Sequence, residues 1–522
     1  MAYDILIKGG IILDGKGGEP YPADVAIADG EIKAIDQIET GARKTINAGG
    51  KYVAPGFIDV TNHSDTHLLL FRYPLQESMI MQGVTTIVGG NCGASLAPLA
   101  SSYAIHAIDK WADPSVINVN WNTVAEFFEN LKTLGLSVNF ASMAGYSTLK
   151  RGIIGDEVRE LSQDERERLK YLIRESVAQG ARGISFGLSY GHERVSSTEE
   201  LVEIARVLQG TGALIKVHLR SEGADVLGAL NEVIRIGREA EVPVAIGHFK
   251  VIGKKSWPLA ARALEMIHAA RESGVAIHFD VTPYATTGSL LYLLIAPWAR
   301  RGGFRELFRR MGERTERVKI IEELTRLTLH YDKMLITGAK VKNVVGKTIQ
   351  EIAEEGGISH EEAVLQLVRS CEGRVAIVGK TVSWKNVQQA VKNDASIIAT
   401  DGEGYGMKEM QSGDLVHPRS FGTFPHFWHR FVRDLKVFKP EYAIQKMTSL
   451  PARFYNIPKR GVLERGNVAD IVIFDQKEIH DAANYRNPFQ FPAGIEWVLV
   501  RGMIAVAEKA HTGIRSGVII GT

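Results

Sequence analysis

The chain has 522 residues, more than one ordinary hydrophobic core accommodates, so a large domain joined to a smaller one is expected. Its 45% hydrophobic and 23% charged residues are typical of a globular enzyme. A net charge of +2 at pH 7 argues against a protein that binds nucleic acid or an anionic membrane surface, because such proteins are usually strongly basic.

The two cysteines, Cys92 and Cys371, are too few for the disulfide framework of a small secreted domain, and their contexts give no reason to pair them. The amino terminus lacks the basic start and apolar core of a signal peptide, and no apolar run reaches membrane-spanning length. From these features we expect a cytoplasmic protein.

Short apolar runs at both ends of the chain predict β-strands. They lie at 5–8, 11–12 and 25–35 near the amino end, and at 469–474 and 497–504 near the carboxyl end. Neither end has enough strands for a core of its own. We therefore predict that residues 1–54 and 455–522 pair into one small β-sandwich domain, with the rest of the chain inserted between them.

Between these ends, eight apolar strand-like runs alternate with helical stretches, an order that predicts a parallel sheet. The runs lie at 56–61, 84–88, 138–142, 183–186, 214–218, 244–248, 276–280 and 396–401. Helical stretches between them include 162–179, 197–208, 223–239 and 259–274. Residues 55–454 are thus predicted to form an α/β domain, a (β/α)₈ TIM barrel with its chemistry at the carboxyl ends of the strands.

The gap between the seventh and eighth strands is too long for a single barrel helix. At about 287–353 it combines an apolar start, 290–295, with paired arginines at 300–301 and 309–310. We predict an inserted helical subdomain. Placed over the barrel mouth it would act as a lid, whereas on an ordinary helix surface its charges would only be solvated.

Four predicted barrel strands lead into residues suited to chemistry. Cys92 follows the second strand, and His218, His248 and Asp401 end the fifth, sixth and eighth. With this order of Cys, His, His and Asp, the chain resembles the N-acyl-D-amino-acid deacylases (D-aminoacylases) of the amidohydrolase superfamily. The resemblance covers nearly the whole chain and is strongest at 91–93, 187–190, 417–419 and 446–452.

The expected metal ligands are Cys92, His218 and His248. A thiolate and two neutral imidazoles suit Zn²⁺ better than Mg²⁺ or Ca²⁺, and three protein ligands leave a fourth position open. Taken singly, Cys92 would be a small buried hydrophobe and each histidine a structural residue. Histidines on consecutive strands favour ligation, and in the resembled deacylases the cysteine is the anionic metal ligand.

A second metal site is expected to be weak or missing. Many amidohydrolase-like enzymes carry two histidines one residue apart after the first strand, but here Thr61 stands in the first place and only His63 remains. Many also bridge two metals with a lysine from the fourth strand, and the run 182–188 has none. We predict one tightly held Zn²⁺, with His63 and Asp401 as at most a loose second site.

Asp401 is the predicted general base, which would take a proton from water and return it to the leaving nitrogen; otherwise it would serve as a helix cap. The resemblance implies that Lys250, Tyr284 and Arg419 hold the substrate carboxylate, with Arg as a two-pronged donor and Lys as a point charge. Tyr190, also matched, would help to stabilise the oxyanion. Taken singly, these charges would lie on the surface and the tyrosine would only pack.

The resemblance implies zinc-dependent hydrolysis of the linear amide of N-acyl-D-amino acids to a carboxylate and a free D-amino acid. Alternatives are a cyclic-amide hydrolase of the dihydropyrimidinase or hydantoinase kind, a dipeptidase, and a non-catalytic ligand-binding homologue, for which Thr61 is the best argument. The expected partner is a small molecule, neither nucleic acid nor membrane. Phe249, where many of these deacylases have a second histidine, and the glycine-rich segment 402–406 would alter substrate preference. The sequence does not specify the acyl group, the side chain or the oligomeric state.

Overall fold

The computed structural model describes residues 3–327 and 329–521, so Met1, Ala2 and Thr522 of the predicted terminal domain lie outside the described residues. The strands are β1 Tyr3–Ile12, β2 Tyr21–Ala28, β3 Glu31–Asp36, β4 Ala42–Asn47, β5 Tyr52–Pro55, β6 Phe57–Asp59, β7 Val84–Gly89, β8 Asn139–Ser142, β9 Ala144–Gly145, β10 Gly183–Gly187, β11 Leu214–His218, β12 Val244–Ile246, β13 Ile277–Val281, β14 Thr287–Leu290, β15 Met334–Ala339, β16 Val375–Gly379, β17 Ser396–Ile398, β18 Ile471–Phe474, β19 Ile495–Val500, β20 Met503–Ala507 and β21 Ala510–His511.

The α-helices are α1 Leu69–Arg72, α2 Glu77–Ile80, α3 Val124–Leu134, α4 Tyr146–Ile154, α5 Gln163–Ala178, α6 Thr198–Ala205, α7 Val226–Ala240, α8 Leu259–Glu272, α9 Pro297–Arg300, α10 Gly303–Gly312, α11 Arg314–Arg326, α12 Ile349–Gly356, α13 His360–Ser370, α14 Trp384–Lys392, α15 Arg419–Phe427, α16 Pro440–Met447 and α17 Ser449–Phe454. A π-helical turn, Trp428–Asp434, continues α15. Helix starts follow local chemistry: before α5, the Ser162 hydroxyl accepts from the Glu165 amide and the Glu165 carboxylate accepts from the Ser162 amide.

Eight parallel strands form the barrel, in the order β6, β7, β8, β10, β11, β12, β13 and β17. The short β9 continues β8 and pairs with β10. Just beyond the strands, a parallel bridge between Asn62 and Gly402 joins the first strand to the last, and the His63 amide donates to the Gly402 carbonyl at 2.9 Å. The predicted barrel and its eight strands are confirmed. Strands covered on both faces read as continuous apolar runs, which is why the sequence revealed them.

Part of the barrel interior is filled by small and branched side chains from several strands, among them Ile58, Val88, Leu214 and Ile397. Tyr455, which follows α17, packs into the same cluster. A solid interior leaves the mouth formed by the loops after the strands as the place for a site.

Strands from both ends of the chain form one nine-stranded sheet. Its order is β21, β20, β19, β18, β5, β1, β2, β3, with β4 pairing with β1. The carboxyl-terminal segment then returns to the barrel, where Phe140 of β8 donates to the Val518 carbonyl at 2.9 Å and accepts from the Ile520 amide at 2.7 Å. The domain boundaries at 54 and 455 remain a prediction.

The insertion between β13 and α14 differs from the predicted helical unit at 287–353. It runs from β14 to β16 and ends at Gly379, and it contains a three-stranded antiparallel sheet in the order β14, β16, β15 besides α9 to α13. It also has its own apolar core, which includes Leu291, Met311 and Ile377. The runs that became β15 and β16 pair across some 40 residues, so no short turn between them marks a hairpin in the sequence. Among the described residues, no helix combines the length and apolar character needed to cross a bilayer.

Candidate metal centre

The carboxyl ends of the barrel strands bring Cys92, His218 and His248 together. The Cys92 Sγ atom lies 3.3 Å from His248 Nε2 and 3.5 Å from His218 Nδ1. All three residues are buried, and their ligand atoms lie within 4.8 Å of one another. Within residues 3–327 and 329–521, this is the one group of three such side chains close enough to hold a single ion.

A tight loop after β7 directs the Cys92 sulfur into this cluster. Gly90, at φ +70°, passes so close to Met143 that an added Cβ would lie 2.0 Å from its carbonyl oxygen. Gly93, at φ +77°, leaves only 1.8 Å between an added Cβ and the Glu193 carboxylate. Asn91 ties the loop to the end of β6 through its amide, which donates to the Asn62 carbonyl at 2.9 Å. The two glycines are therefore required by close packing as well as by backbone conformation.

Three site residues that are not glycine have left-handed backbone conformations: Cys92 at φ 54°, His248 at φ 37° and Asp401 at φ 51°. Such conformations cost roughly 1–3 kcal/mol each and persist only where the surrounding structure enforces them. All three strained residues lie at one barrel mouth, which indicates that the fold accepts backbone strain there to place their side chains.

The electrostatics of the cluster favour an ionised sulfur. Burial alone would raise the pKa of the Cys92 thiol, but the neighbouring His248, His218 and His63 hold it well below its usual value. Conversely, burial would lower the pKa of His248, whereas Asp401 and Cys92 outweigh burial and the nearby Lys250 and raise it to about 10. A thiolate faced by two imidazole nitrogens is a donor set that fits Zn²⁺.

Each candidate imidazole ligand has polar contacts on its far side. The Ser189 hydroxyl lies 2.9 Å from His218 Nε2, whereas His248 Nδ1 lies 2.9 Å from the Lys250 ammonium and 3.1 Å from Glu222 Oε1. Outer partners of this kind fix the tautomer and ring orientation of metal-binding histidines. Neither Ser189 nor Glu222 was predicted from the sequence, where the available signal was the position of Glu222 four residues after His218.

His63 and Asp401 lie beside the cluster without joining it. His63 Nε2 is 3.4 Å from Asp401 Oδ1 and 4.0 Å from the Cys92 sulfur. Asp401 Oδ2 accepts from Arg419 Nη1 at 2.6 Å. Burial would raise the pKa of Asp401, but Arg419, His248 and His63 hold it well below its usual value, so Asp401 is a carboxylate.

A cavity next to this carboxylate is lined by Lys250, Tyr284 and Arg419, the three residues expected to hold a substrate carboxylate. Among the described residues, the buried Tyr284 hydroxyl and the buried Arg419 Nε have no hydrogen-bond partner. Lys250 is already engaged, since its ammonium donates to Glu222 Oε1 at 2.6 Å. Two unsatisfied donors beside one cavity suit an anionic ligand.

Tyr190 forms another wall near the cluster. Its ring centroid lies 5.2 Å from that of His218 and 5.8 Å from that of Trp111, and the Lys110 ammonium stands 4.4 Å above the ring. The ring centroid of Trp111, in the segment between β7 and α3, lies 5.7 Å from that of His63, so Trp111 also borders the metal centre. Trp111 and Lys110 were not anticipated, because they lie in a long segment without periodic apolar residues.

Comparisons with known proteins agree with this geometry. A sequence model of the amidohydrolase family matches residues 52–505. The D-aminoacylase of Alcaligenes xylosoxydans xylosoxydans is 31% identical over 520 residues, which cover 99% of this chain and 97% of that protein. The crystal structure of N-acyl-D-glutamate deacylase from Bordetella bronchiseptica, complexed with zinc and a phosphonate mimic of the tetrahedral intermediate, matches all of both chains with 27% identity and a TM-score of 0.84.

A D-aminoacylase structure also matches all of both chains, at 30% identity and a TM-score of 0.84. That protein has a binuclear metal centre, with activation by one metal and attenuation by the second.

Proposed function

The chain belongs to the amidohydrolase family, and we propose that it hydrolyses the linear amide of N-acyl-D-amino acids to a carboxylate and a free D-amino acid. The observation that carries this proposal is the convergence of Cys92, His218 and His248 beside Asp401 and a cavity with unsatisfied donors. The D-aminoacylase and deacylase relatives support the substrate class and the preference for the D form.

Cys92, His218 and His248 would hold one Zn²⁺. When bound, the ion would polarise the amide carbonyl and lower the pKa of water toward neutrality. Ser189 and Glu222 keep the two imidazoles turned so that one nitrogen of each faces the sulfur. The site is thus held ready by the protein's own hydrogen bonds.

Asp401 would move the proton of the reaction. Its low pKa keeps it ionised throughout the neutral range, so its oxygens carry no proton before the reaction. Its backbone, at φ 51°, and its contacts with Arg419 and His63 fix the direction of the carboxylate. A carboxylate in this position can take a proton from water and deliver it to the leaving nitrogen.

Arg419, Tyr284 and Lys250 would bind the substrate carboxylate. Support comes from the unpaired Tyr284 hydroxyl and Arg419 Nε, considered within the described part of the chain, and from the lining of one cavity by all three. Anchoring the carboxylate there would fix the amide beside the metal ligands, because His248 and Asp401 line the same cavity. Tyr190 would border the oxyanion from the side of His218.

The cavity also suggests a preference for the amino-acid side chain. Besides the charged residues, three threonines and Asn386, its wall has a large apolar part, with Val251, Leu264, Val281, Val382 and Val387 among the lining residues. An apolar wall favours uncharged side chains, and a second carboxylate would lose water there without gaining a cationic partner. N-acyl derivatives of D-methionine, D-leucine or D-valine are therefore the preferred substrates in this proposal.

The test is a panel of N-acetyl-D- and N-acetyl-L-amino acids, with dihydrouracil as the cyclic amide and a dipeptide as further arms. We expect hydrolysis of N-acetyl-D-methionine well above N-acetyl-D-glutamate and the L forms, and its loss on metal removal with return on adding Zn²⁺. Turnover of dihydrouracil alone would reject the proposal. The proposed location is the cytoplasm, which the two free cysteines support.

A further inference from the structure

A buried lysine occupies the barrel interior one layer below the metal centre. Lys216 lies on β11 two residues before His218, so both side chains leave the same face of the strand, about 7 Å apart along the chain. Lys216 is only 2% exposed. Neither the metal cluster nor the proposed substrate cavity includes it.

The lysine ammonium has two hydrogen-bond acceptors and one charged neighbour. It donates to the Thr61 hydroxyl at 2.6 Å and to the Val60 carbonyl, and it lies 3.4 Å from Asp280 Oδ2. The other oxygen of Asp280 accepts from the His248 amide at 2.7 Å. Lys216 therefore connects the end of β6 to the backbone of a proposed metal ligand through a single carboxylate.

Thr61 stands two residues before His63, as Lys216 stands two residues before His218. Both Thr61 and His63 are buried just beyond the end of β6 at Asp59. The fully buried Thr61 hydroxyl accepts a hydrogen bond from Lys216, so an ion would have to compete with the ammonium for this oxygen. A second ion beside His63 would thus lack a free ligand at position 61 and would meet a fixed positive charge beneath it.

We propose that the Lys216 ammonium, bound to Thr61, is a built-in cation that restricts this centre to one divalent metal ion. Coulomb repulsion in a site shielded from water penalises a second divalent ion, whereas the first ion is compensated by the Cys92 thiolate. The chain would therefore escape the attenuation by a second metal that its binuclear D-aminoacylase relative displays. This inference rests on the metal centre of the proposed function, but it concerns the number of ions bound and not turnover.

The test counts metal ions in the full-length chain. Unaltered protein, the Thr61→His/Lys216→Met double variant and the Lys216→Arg variant are dialysed against a range of Zn²⁺ concentrations, and bound zinc is measured by elemental analysis. We expect one ion per chain for the unaltered protein and for Lys216→Arg, which keeps the charge. The double variant should take up a second ion with an affinity at least about 100-fold higher than any second site of the unaltered protein.

Circular dichroism and thermal melting verify that each variant is folded. Should Lys216→Met unfold the barrel because it leaves Asp280 unpaired, adding Asp280→Asn removes the unpaired charge while Asn keeps an oxygen for the His248 amide. Two ions per unaltered chain would overturn this inference and leave the hydrolase proposal intact, and no bound ion would overturn both. A folded double variant that still takes one ion would remove the role assigned to Lys216.

Discussion

Replacing Arg419 by methionine separates two roles that we propose for one guanidinium. Arg419 holds Asp401 Oδ2 at 2.6 Å, and its Nε, unpaired among the described residues, lies by the cavity proposed for the substrate carboxylate. Removing one partner of a buried charge pair costs about 2–5 kcal/mol, which corresponds to roughly 30- to 4,000-fold in kcat/KM. We expect the loss for N-acetyl-D-methionine to lie in this range.

A second substrate separates the two contributions of Arg419 to the decrease in kcat/KM. N-acetyl-3-(methylthio)propylamine is the same molecule without its carboxylate, so it reports only the effect of Arg419 on Asp401 and the fold. Arg419→Met should lower kcat/KM for the amino acid at least about tenfold more than for the amine, because the charge-assisted contact exists only with the former. The difference is a coupling free energy between one side chain and one substrate group.

Arg235 on α7 offers a matched control. Its side chain is 45% exposed and bridges Glu199 and Glu239 on the surface, so Arg235→Met should leave both substrates within about twofold of their original rates. Equal losses for the amino acid and the amine in Arg419→Met would refute the carboxylate clamp, and would show that Arg419 acts only through Asp401.

Three further changes test the centre and its frame. Asp401→Asn should retain one zinc while kcat falls about 10²- to 10⁴-fold, and retained turnover would reject the proton-transfer role. Gly90→Ala should lower both the melting temperature and the zinc content, because its Cβ would lie 2.0 Å from a carbonyl oxygen. Gly50 has a similar positive φ but open space around it, so Gly50→Ala should lower the melting temperature much less. Equal decreases in melting temperature would contradict the steric argument. Burial lowers the pKa of His278 from 6.5 to about 4, so the unfolded chain binds a proton that the folded chain refuses between these values. The contribution of His278 to stability should therefore fall by about 3 kcal/mol as pH drops from 6.5 to 4. The difference in melting temperature between His278→Gln and the unaltered chain should change over this pH range, and a constant difference would contradict the lowered pKa of His278.

The barrel and the position of its chemistry were predictable because both depend on short-range signals. A strand buried on both faces must be apolar along its length, and a polar residue just after it must emerge at the mouth. Cys92, His218, His248 and Asp401 each satisfy that rule, and the structure brings them into one neighbourhood. The resemblance supplied the role of each residue, which spacing alone does not encode.

What could not be predicted depends on contacts between distant parts of the chain. Lys216 reads as an odd polar residue in an apolar strand, and only the fold reveals that it meets Thr61, 155 residues away. Glu222 reads as an ordinary loop acid until the barrel turns it toward His248. The sheet of the insertion was missed for the same reason, since β15 and β16 are separated by some 40 residues and pair only in the folded chain.

If Arg419 binds the substrate carboxylate and Asp401 transfers the proton as proposed, their contact couples substrate binding to proton transfer. Paired with Arg419, this carboxylate has a very low pKa and is a correspondingly weak base. A substrate carboxylate that engages Arg419 would compete for the same guanidinium, weaken its hold on Asp401 and raise the basicity of Asp401 at the moment when the amide is in place. An amide without a carboxylate would leave Asp401 in its less basic state. The substrate carboxylate should therefore contribute to kcat as well as to KM, because its binding energy is used to prepare the proton acceptor.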